Sequence, residues 1–481
     1  MRRSLTSVLT ACLVAGACVA GVQVSVGLGA SASQAGRILP PGAIQHVMVI
    51  DVENESYAAT FGNPGSYIAQ SLEPQGELLQ NYFATGHVSL DNYIAQVSGQ
   101  APNFVTNSDC IGATGAGAFK DVSPGTIDPN SAAYPGQVDG QGCVYPSGVQ
   151  TIGNQLDAAY PNSASHNWRV YAQDMGNDPT RDGGSADPLG GTDCAHPSQT
   201  AGNGVDDTEN AEGPNATGSQ VPSQTADQYA TRHNPFVFFH SVIDNPTCGQ
   251  DVVPLGAVTP GTNGASNTYA GHLVQDLATP ALTPRFSFVV PNLCNDGHDA
   301  TCAGTNTTGG TTGGLTAVNQ WLAAWMPLIL GSPAYQSGHM LVVITADEGS
   351  LADTRAGDNE SAGPSNANPG YSPILNVPIP AFGGHTFYQL LGVVGLTPGV
   401  PPAAGTMPGG GQIGALLLNP CYVHPGTVDT SGSYNHYSAL RTYEDLLGLG
   451  SGGADGSGHL GFASTAHDFG SDVFVNQECS G

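Results

Sequence analysis

Apolar and polar positions follow two different periods along this chain. Residues 46–54 (HVMVIDVEN) form a continuous apolar run that breaks into acids, the pattern of a strand buried on both faces. Residues 168–175 (WRVYAQDM), 234–243 (NPFVFFHSVI), 285–292 (RFSFVVPN) and 339–348 (HMLVVITADE) predict four more strands. Helical spacing is expected over 88–99, opened by Ser89, over 151–160, around 321–330, and over 436–450. In that last segment Leu440, Tyr443, Leu446 and Leu447 share a face and Gly448 is the stop. Strand-like and helix-like segments alternating in this way predict an α/β layer fold. Between them, 176–224 is polar and nearly devoid of apolar residues, the mark of a long surface insertion. Residues 304–314 and 400–411 read as Gly/Thr- and Pro/Gly-rich loops.

The first segment differs in kind. Arg2 and Arg3 precede an apolar run over 5–28, which ends in small residues at Ala30, Ser31 and Ala32. This order predicts a secretory signal over 1–32, and the rest of the chain, 38–480, reads as a single domain. No other stretch approaches the ~20 apolar residues of a membrane span, so no stable membrane anchor is expected. The remaining cysteines are Cys110, Cys143, Cys194, Cys248, Cys294, Cys302, Cys421 and Cys479. An even count in an exported chain points to disulfides. Sequential pairing is expected, most firmly Cys294 with Cys302, which closes a short loop.

The 481 residues carry 10 Lys and Arg against 38 Asp and Glu, a formal charge of −28. Duplex nucleic acid gains its affinity from cationic side chains, so no nucleic-acid docking surface is expected. Should the substrate be an anion, metal ions rather than Lys or Arg are the expected means of holding it. The sequence leaves the oligomeric state open.

In open α/β sheets ligands sit outside the carboxyl ends of the strands. Three predicted strands end in ligand-type residues: Asp51, Glu53 and Asn54 after the first; Asn292, Asp296, His298 and Asp299 after another; Asp347 and Glu348 after a third. His436 opens the last helix. Oxygen and imidazole donors at one sheet edge predict divalent metal ions. The carboxylates suit magnesium or calcium, and the histidines zinc, iron or manganese. GHVSLDNY (86–93) supplies Ser89 as a nucleophile candidate, with His87 before it and Asn92 after; helix capping explains this serine equally well. GxSxG is absent around Ser89, and Walker A and HExxH motifs are absent throughout, which disfavours a lipase, a P-loop NTPase or a zincin.

The order HVMVIDVENESYAATFG, GHVSLDNYIAQVSG, VPNLCNDGHD, VVITADEGS, YNHYSALRTYEDLLGL resembles the bacterial phosphoesterase family of acid phosphatases and non-specific phospholipases C, within the alkaline phosphatase superfamily. The serine and NDGHD segments also resemble secreted fungal acid phosphatases. The resemblance implies an alkaline phosphatase-like fold, a mostly parallel central sheet flanked by helices on both faces. It implies Ser89 as the nucleophile that forms a phosphoserine and Asn92 as a phosphoryl contact. Glu53, Asn54, Asp296, His298, Asp347, Glu348 and His436 are implied as metal ligands. His87, His233 and Arg441 are candidate pocket residues. The expected activity is secreted, metal-dependent hydrolysis of a small phosphate ester. The alternatives are a phospholipase C-type phosphodiesterase and, more remotely, a non-catalytic surface-binding protein on the same fold.

Overall fold

The computed structural model describes residues 38–475 apart from 104, 107–108, 111–118, 128–134, 177–183, 198–227, 263, 299–301, 303, 351–352, 354 and 356–408. The expected signal, Asp299, Cys479 and most of the 176–224 and 400–411 segments therefore lie outside the described residues. Eight strands form the central sheet: β1 His46–Val52, β2 Gly76–Leu79, β3 Trp168–Ala172, β4 Val252–Pro254, β5 Phe286–Val290, β6 Met340–Ala346, β7 Ala415–Leu418 and β8 Thr427–Asp429. Their order across the sheet is β8-β2-β7-β6-β1-β5-β3-β4. β1 pairs in parallel with both β5 and β6, β5 with β3, and β3 with β4. Only β7 runs against its neighbours: it is antiparallel to β6 and β2, and β2 pairs in parallel with β8. The sheet is mixed and mostly parallel, and the carboxyl ends of β1, β3, β5 and β6 share one edge.

Four longer helices are α1 Ser89–Ser98, α2 Ile152–Ala159, α3 Gly314–Leu330 and α4 His436–Leu446. Alternation along the strands decides what each face meets. Phe286 and Phe288 of β5 and Trp168 of β3 point to one side. There they pack on Tyr443 of α4, Tyr93 of α1 and Phe236, whose ring stacks on Trp168 at 4.4 Å. Arg169 and Tyr171, one residue out of phase, point to the other side and meet Asp276. Trp321 of α3 reaches Gln173 on that side at 2.9 Å. Both faces are therefore covered by helices. α2 lies so close to β3 that a Cβ at Gly153 would come within 2.6 Å of the Trp168 indole. α1 stops at Gly99, whose φ of 67° only glycine adopts freely; a Cβ there would sit 2.3 Å from the Leu460 carbonyl.

The expected strand over 234–243 is corrected. Pro235–Phe238 is a 3-10 turn and His240–Ile243 a helical turn. A continuous apolar run reads the same for a buried strand and a buried turn, and Pro235 at the first helical position favours the turn. Three disulfides join sequential partners, Cys110–Cys143, Cys194–Cys248 and Cys294–Cys302. The expected partner of Cys421, Cys479, is outside the described residues. Among the described residues no helix is long and apolar enough to cross a membrane.

Candidate active site

Asp51 near the end of β1 and Glu53 one residue beyond it are two residues apart, hence directed to the same side. On α1, Ser89, Tyr93 and Gln96 fall at i, i+4 and i+7, hence on one stripe of the helix. The two patterns meet. Ser89 Oγ donates to Glu53 Oε2 at 2.8 Å, Tyr93 OH donates to Glu53 Oε1 at 2.5 Å, and the Gln96 amide donates to Asp51. Ser89 is the first residue of α1 and does not cap it. The capping position is Val88, at φ 65° and ψ 154°, a conformation otherwise nearly confined to glycine. Its amide N–H donates to Glu348 Oε2 at 3.2 Å. The chain thus turns sharply before the serine and presents its hydroxyl to the strand-end acids.

Those acids are sealed from water. Asp51, Glu53 and Asp347 are fully buried, and Asp296 and Glu348 nearly so. Burial, then Asp347 and Asp296, raise Glu53 well above the usual carboxylate range; burial, then Glu348 and Asp51, do the same for Asp347. Burial also raises Asp51 and Glu348, and lifts Glu55 to about 7. Asp51 Oδ1, Asp347 Oδ2 and Asn54 Oδ1 are buried and accept no hydrogen bond. Buried oxygens are ordinarily satisfied, so this concentration of negative and unpaired oxygen fits a divalent cation. Asn54 itself sits at φ 47° with its N–H on Asp347 Oδ1 at 2.9 Å, which joins the ends of β1 and β6. The Glu53 N–H donates to the Asp296 carbonyl at 2.9 Å and joins β1 to the loop after β5.

The remaining expected residues take varied places. His233 is buried and stacked on Tyr93 at 5.3 Å, with Nε2 3.3 Å from Glu53 and Nδ1 3.8 Å from Asp296. Neither of its nitrogens makes a hydrogen bond, and burial, then Arg232 and His298, hold it neutral. His87 lies between Glu348 and the Asp353 carbonyl; burial lowers it, but the Glu348 hydrogen bond and charge outweigh that and raise it. His298 is exposed, and its backbone N–H donates to Asp296 Oδ1 at 3.0 Å.

Three more of the expected residues are engaged with other parts of the chain. Asn92 uses its side-chain oxygen to accept from Thr85 and Gly86, and both amide hydrogens on the Gly86 and Val88 carbonyls. It clamps the 85–88 turn and has no donor left for a phosphoryl group. His436 pairs Nδ1 with Tyr82 OH at 3.1 Å and Nε2 with the Asp347 carbonyl at 2.8 Å. Both nitrogens are occupied, and burial holds it down at about 4, so it braces the end of β6 as a neutral ring. Arg441 donates to the Ala463 and Ser464 carbonyls and holds the C-terminal turn.

Tyr93, Asp109 and Arg232 were missed from sequence. Asp109 accepts from the Leu90 N–H at 2.8 Å, and the buried Arg232 lies 3.8 Å from it. The i+4 spacing from Ser89 was a usable signal for Tyr93; Asp109 has none, because a disulfide-bonded loop delivers it to α1.

No family model matches the chain. The phosphate-repressible acid phosphatase of Penicillium chrysogenum is 24% identical over 278 residues, 58% of this chain and 42% of that protein. The matched stretch therefore spans less than half of that relative. Among solved structures, an alkaline phosphatase superfamily protein from Vibrio parahaemolyticus aligns over 90% of this chain and 71% of its own, at 10% identity and a TM-score of 0.37. The alkaline phosphatase PafA aligns over 91% of this chain and 99% of its own, at 11% identity and 0.35. A putative sulfatase from Bacteroides thetaiotaomicron aligns over 84% and 71%, at 10% and 0.35.

Proposed function

We propose that this chain is a secreted, metal-dependent phosphomonoesterase with Ser89 as its nucleophile. One observation carries the reading: the Ser89 hydroxyl is hydrogen-bonded to a buried carboxylate within a group of buried acids that lacks enough donors. A serine hydroxyl attacks only when something takes or withdraws its proton, and Glu53 is in place to accept it. Tyr93 fixes the other Glu53 oxygen, and the Val88 turn fixes the direction of the attack. The Ser89 hydroxyl passes its proton to Glu53 and its oxygen bonds to phosphorus as the bond to the ester oxygen breaks, the departing oxygen taking a proton from solvent to leave as the alcohol; water then cleaves the phosphoserine, releasing inorganic phosphate and restoring the hydroxyl. Divalent cations held by Glu53, Asn54, Asp296, Asp347 and their neighbours would neutralise the acids and draw charge from the phosphoryl oxygens. His233, neutral and without a hydrogen bond, is a further candidate donor to such an ion. The name of the Penicillium relative supports the monoester over the diester reading.

The test is hydrolysis of p-nitrophenyl phosphate and bis(p-nitrophenyl) phosphate by the purified protein, with and without chelator. Monoester turnover that chelation abolishes is expected. Faster diester turnover would replace the reading with the phosphodiesterase one, and turnover indifferent to chelator would remove the metal from it.

A further inference from the structure

A second group of ligand-type side chains shares no residue with the Ser89 cluster. Asp187, Asp193 and His272 bring one donor atom each to within 4.8 Å of one another. They come from separate segments. Asp187 and Asp193 flank the turn of a small ribbon in which Ser185–Ala186 pairs with Thr192–Asp193. His272 opens the helical turn His272–Asp276, after the ribbon that follows β4.

The two acids are held from outside the group, and His272 is held by one of them. The Thr192 N–H donates to the Met175 carbonyl at 3.2 Å and the Cys194 N–H to the Val252 carbonyl at 2.9 Å, so Asp193 is tied on both sides to the ends of β3 and β4. The Leu189 N–H donates to Asp187 Oδ1 at 2.5 Å. His272 Nε2 meets the other Asp187 oxygen at 2.7 Å. Asp193 fares differently: it is 8% exposed, yet its Oδ1 is buried and accepts no hydrogen bond. Two carboxyls face each other beside a single imidazole: burial, then the hydrogen bond and charge of Asp187, raise Asp193 to about 7, while the charge of Arg169 acts the other way.

From this geometry we infer that Asp187, Asp193 and His272 form a divalent metal site that fastens the 185–193 ribbon to the segment at His272. Two carboxylate oxygens and one imidazole nitrogen suit zinc, with water completing the shell. The ion replaces the hydrogen now lying between His272 Nε2 and Asp187, and supplies the partner that Asp193 Oδ1 lacks. The clip acts on the fold near the β3–β4 edge, beside the Cys194–Cys248 disulfide, and has no part in the reaction at Ser89.

The test loads the chelator-stripped, full-length chain with zinc and counts the ions retained after gel filtration. Asp193→Asn and His272→Gln should each retain one zinc fewer per chain than wild type, whereas Asp347→Asn should keep the clip ion. Hydrogen exchange on the unmodified protein needs no variant: zinc should slow exchange of peptides covering 184–197 and 271–277 about tenfold, and chelator should reverse it. Equal zinc counts in wild type and a folded Asp193 variant, or unchanged exchange in those peptides, would overturn the proposal.

Discussion

Two buried charged groups on opposite faces of the sheet are built on opposite rules. Around Arg169 on β3 every charge has its counterpart. The guanidinium donates to Asp276 at 2.7 Å, to the Gln250 carbonyl at 2.8 Å and to His166 at 2.7 Å; Tyr171 OH donates to Asp276 at 2.6 Å, and His166 pairs with Asp251 at 3.1 Å. Around Ser89, Asp51, Glu53 and Asp347 are buried more deeply, repel one another, and leave oxygens without donors. The Arg169 group satisfies itself and serves the fold. The Ser89 group is complete only with something the chain does not supply, and an unsatisfied arrangement of that kind marks a working site.

The largest effect separating the two is on turnover. Ser89→Ala should lower kcat for p-nitrophenyl phosphate on the order of 10^4-fold or more while leaving the circular dichroism spectrum unchanged. Turnover by this variant within tenfold of wild type would remove the nucleophile from the proposal. Stability should respond in the reverse sense. Asp276→Ala strands a buried guanidinium and should cost about 3–5 kcal/mol in urea unfolding with kcat nearly preserved. Asp347→Asn relieves repulsion, and in chelator it should stabilise by about 1–2 kcal/mol while abolishing turnover. If both substitutions destabilise equally, the two groups do not differ in kind.

Much of the Ser89 group was legible because its acids follow strand ends, where an apolar run breaks, and the period of two puts Asp51 and Glu53 on one side. The partners of the histidines were not. His436 is held by Tyr82, 354 positions earlier, and the backbone of Asp347, contacts that no local pattern encodes. Asn92 beside the serine had a ligand-type side chain, yet the tight turn at 85–88 claims all of it. The short strands β2, β4, β7 and β8 escaped for a related reason: three or four residues are too few to show a period, and pairing with neighbours in the sheet makes them strands.

The pH dependence of stability bears on the same two groups with a smaller effect. Carboxyls whose folded affinity for protons is raised bind more protons folded than unfolded, so their contribution is full below the unfolded value and fades as pH rises. Glu55, lifted to about 7, and Asp347 and Glu53, raised well above the usual range, all act in this direction. His436, held at about 4, acts oppositely, but only as pH falls below its unfolded value near 6.5. In chelator the chain should therefore lose stability from pH 6 to pH 8 by roughly 1–3 kcal/mol, and zinc or manganese should flatten the slope. Guanidinium unfolding at fixed ionic strength measures it; a slope indifferent to metal would mean the acids are not where the ion binds.

The smallest effect tests strain. Among the described residues, non-glycine positive φ occurs at Asn54, Val88, Asp109, Cys110, Asp174 and Cys194. Three of these touch the Ser89 group directly: Asn54 through Asp347, Val88 through Glu348, and Asp109 through the first turn of α1. A β-branched residue at φ 65° is unfavourable by about 1–3 kcal/mol, and glycine would remove that cost while restoring freedom to the unfolded chain. Val88→Gly should thus change stability by less than about 1 kcal/mol, toward greater stability, because the two terms nearly cancel. It should also lower kcat by about three- to tenfold, since the turn no longer fixes the direction of the hydroxyl. A variant with unchanged stability and unchanged kcat would show that the turn at Val88 contributes nothing to aiming Ser89, and that Glu53 alone holds the serine in place.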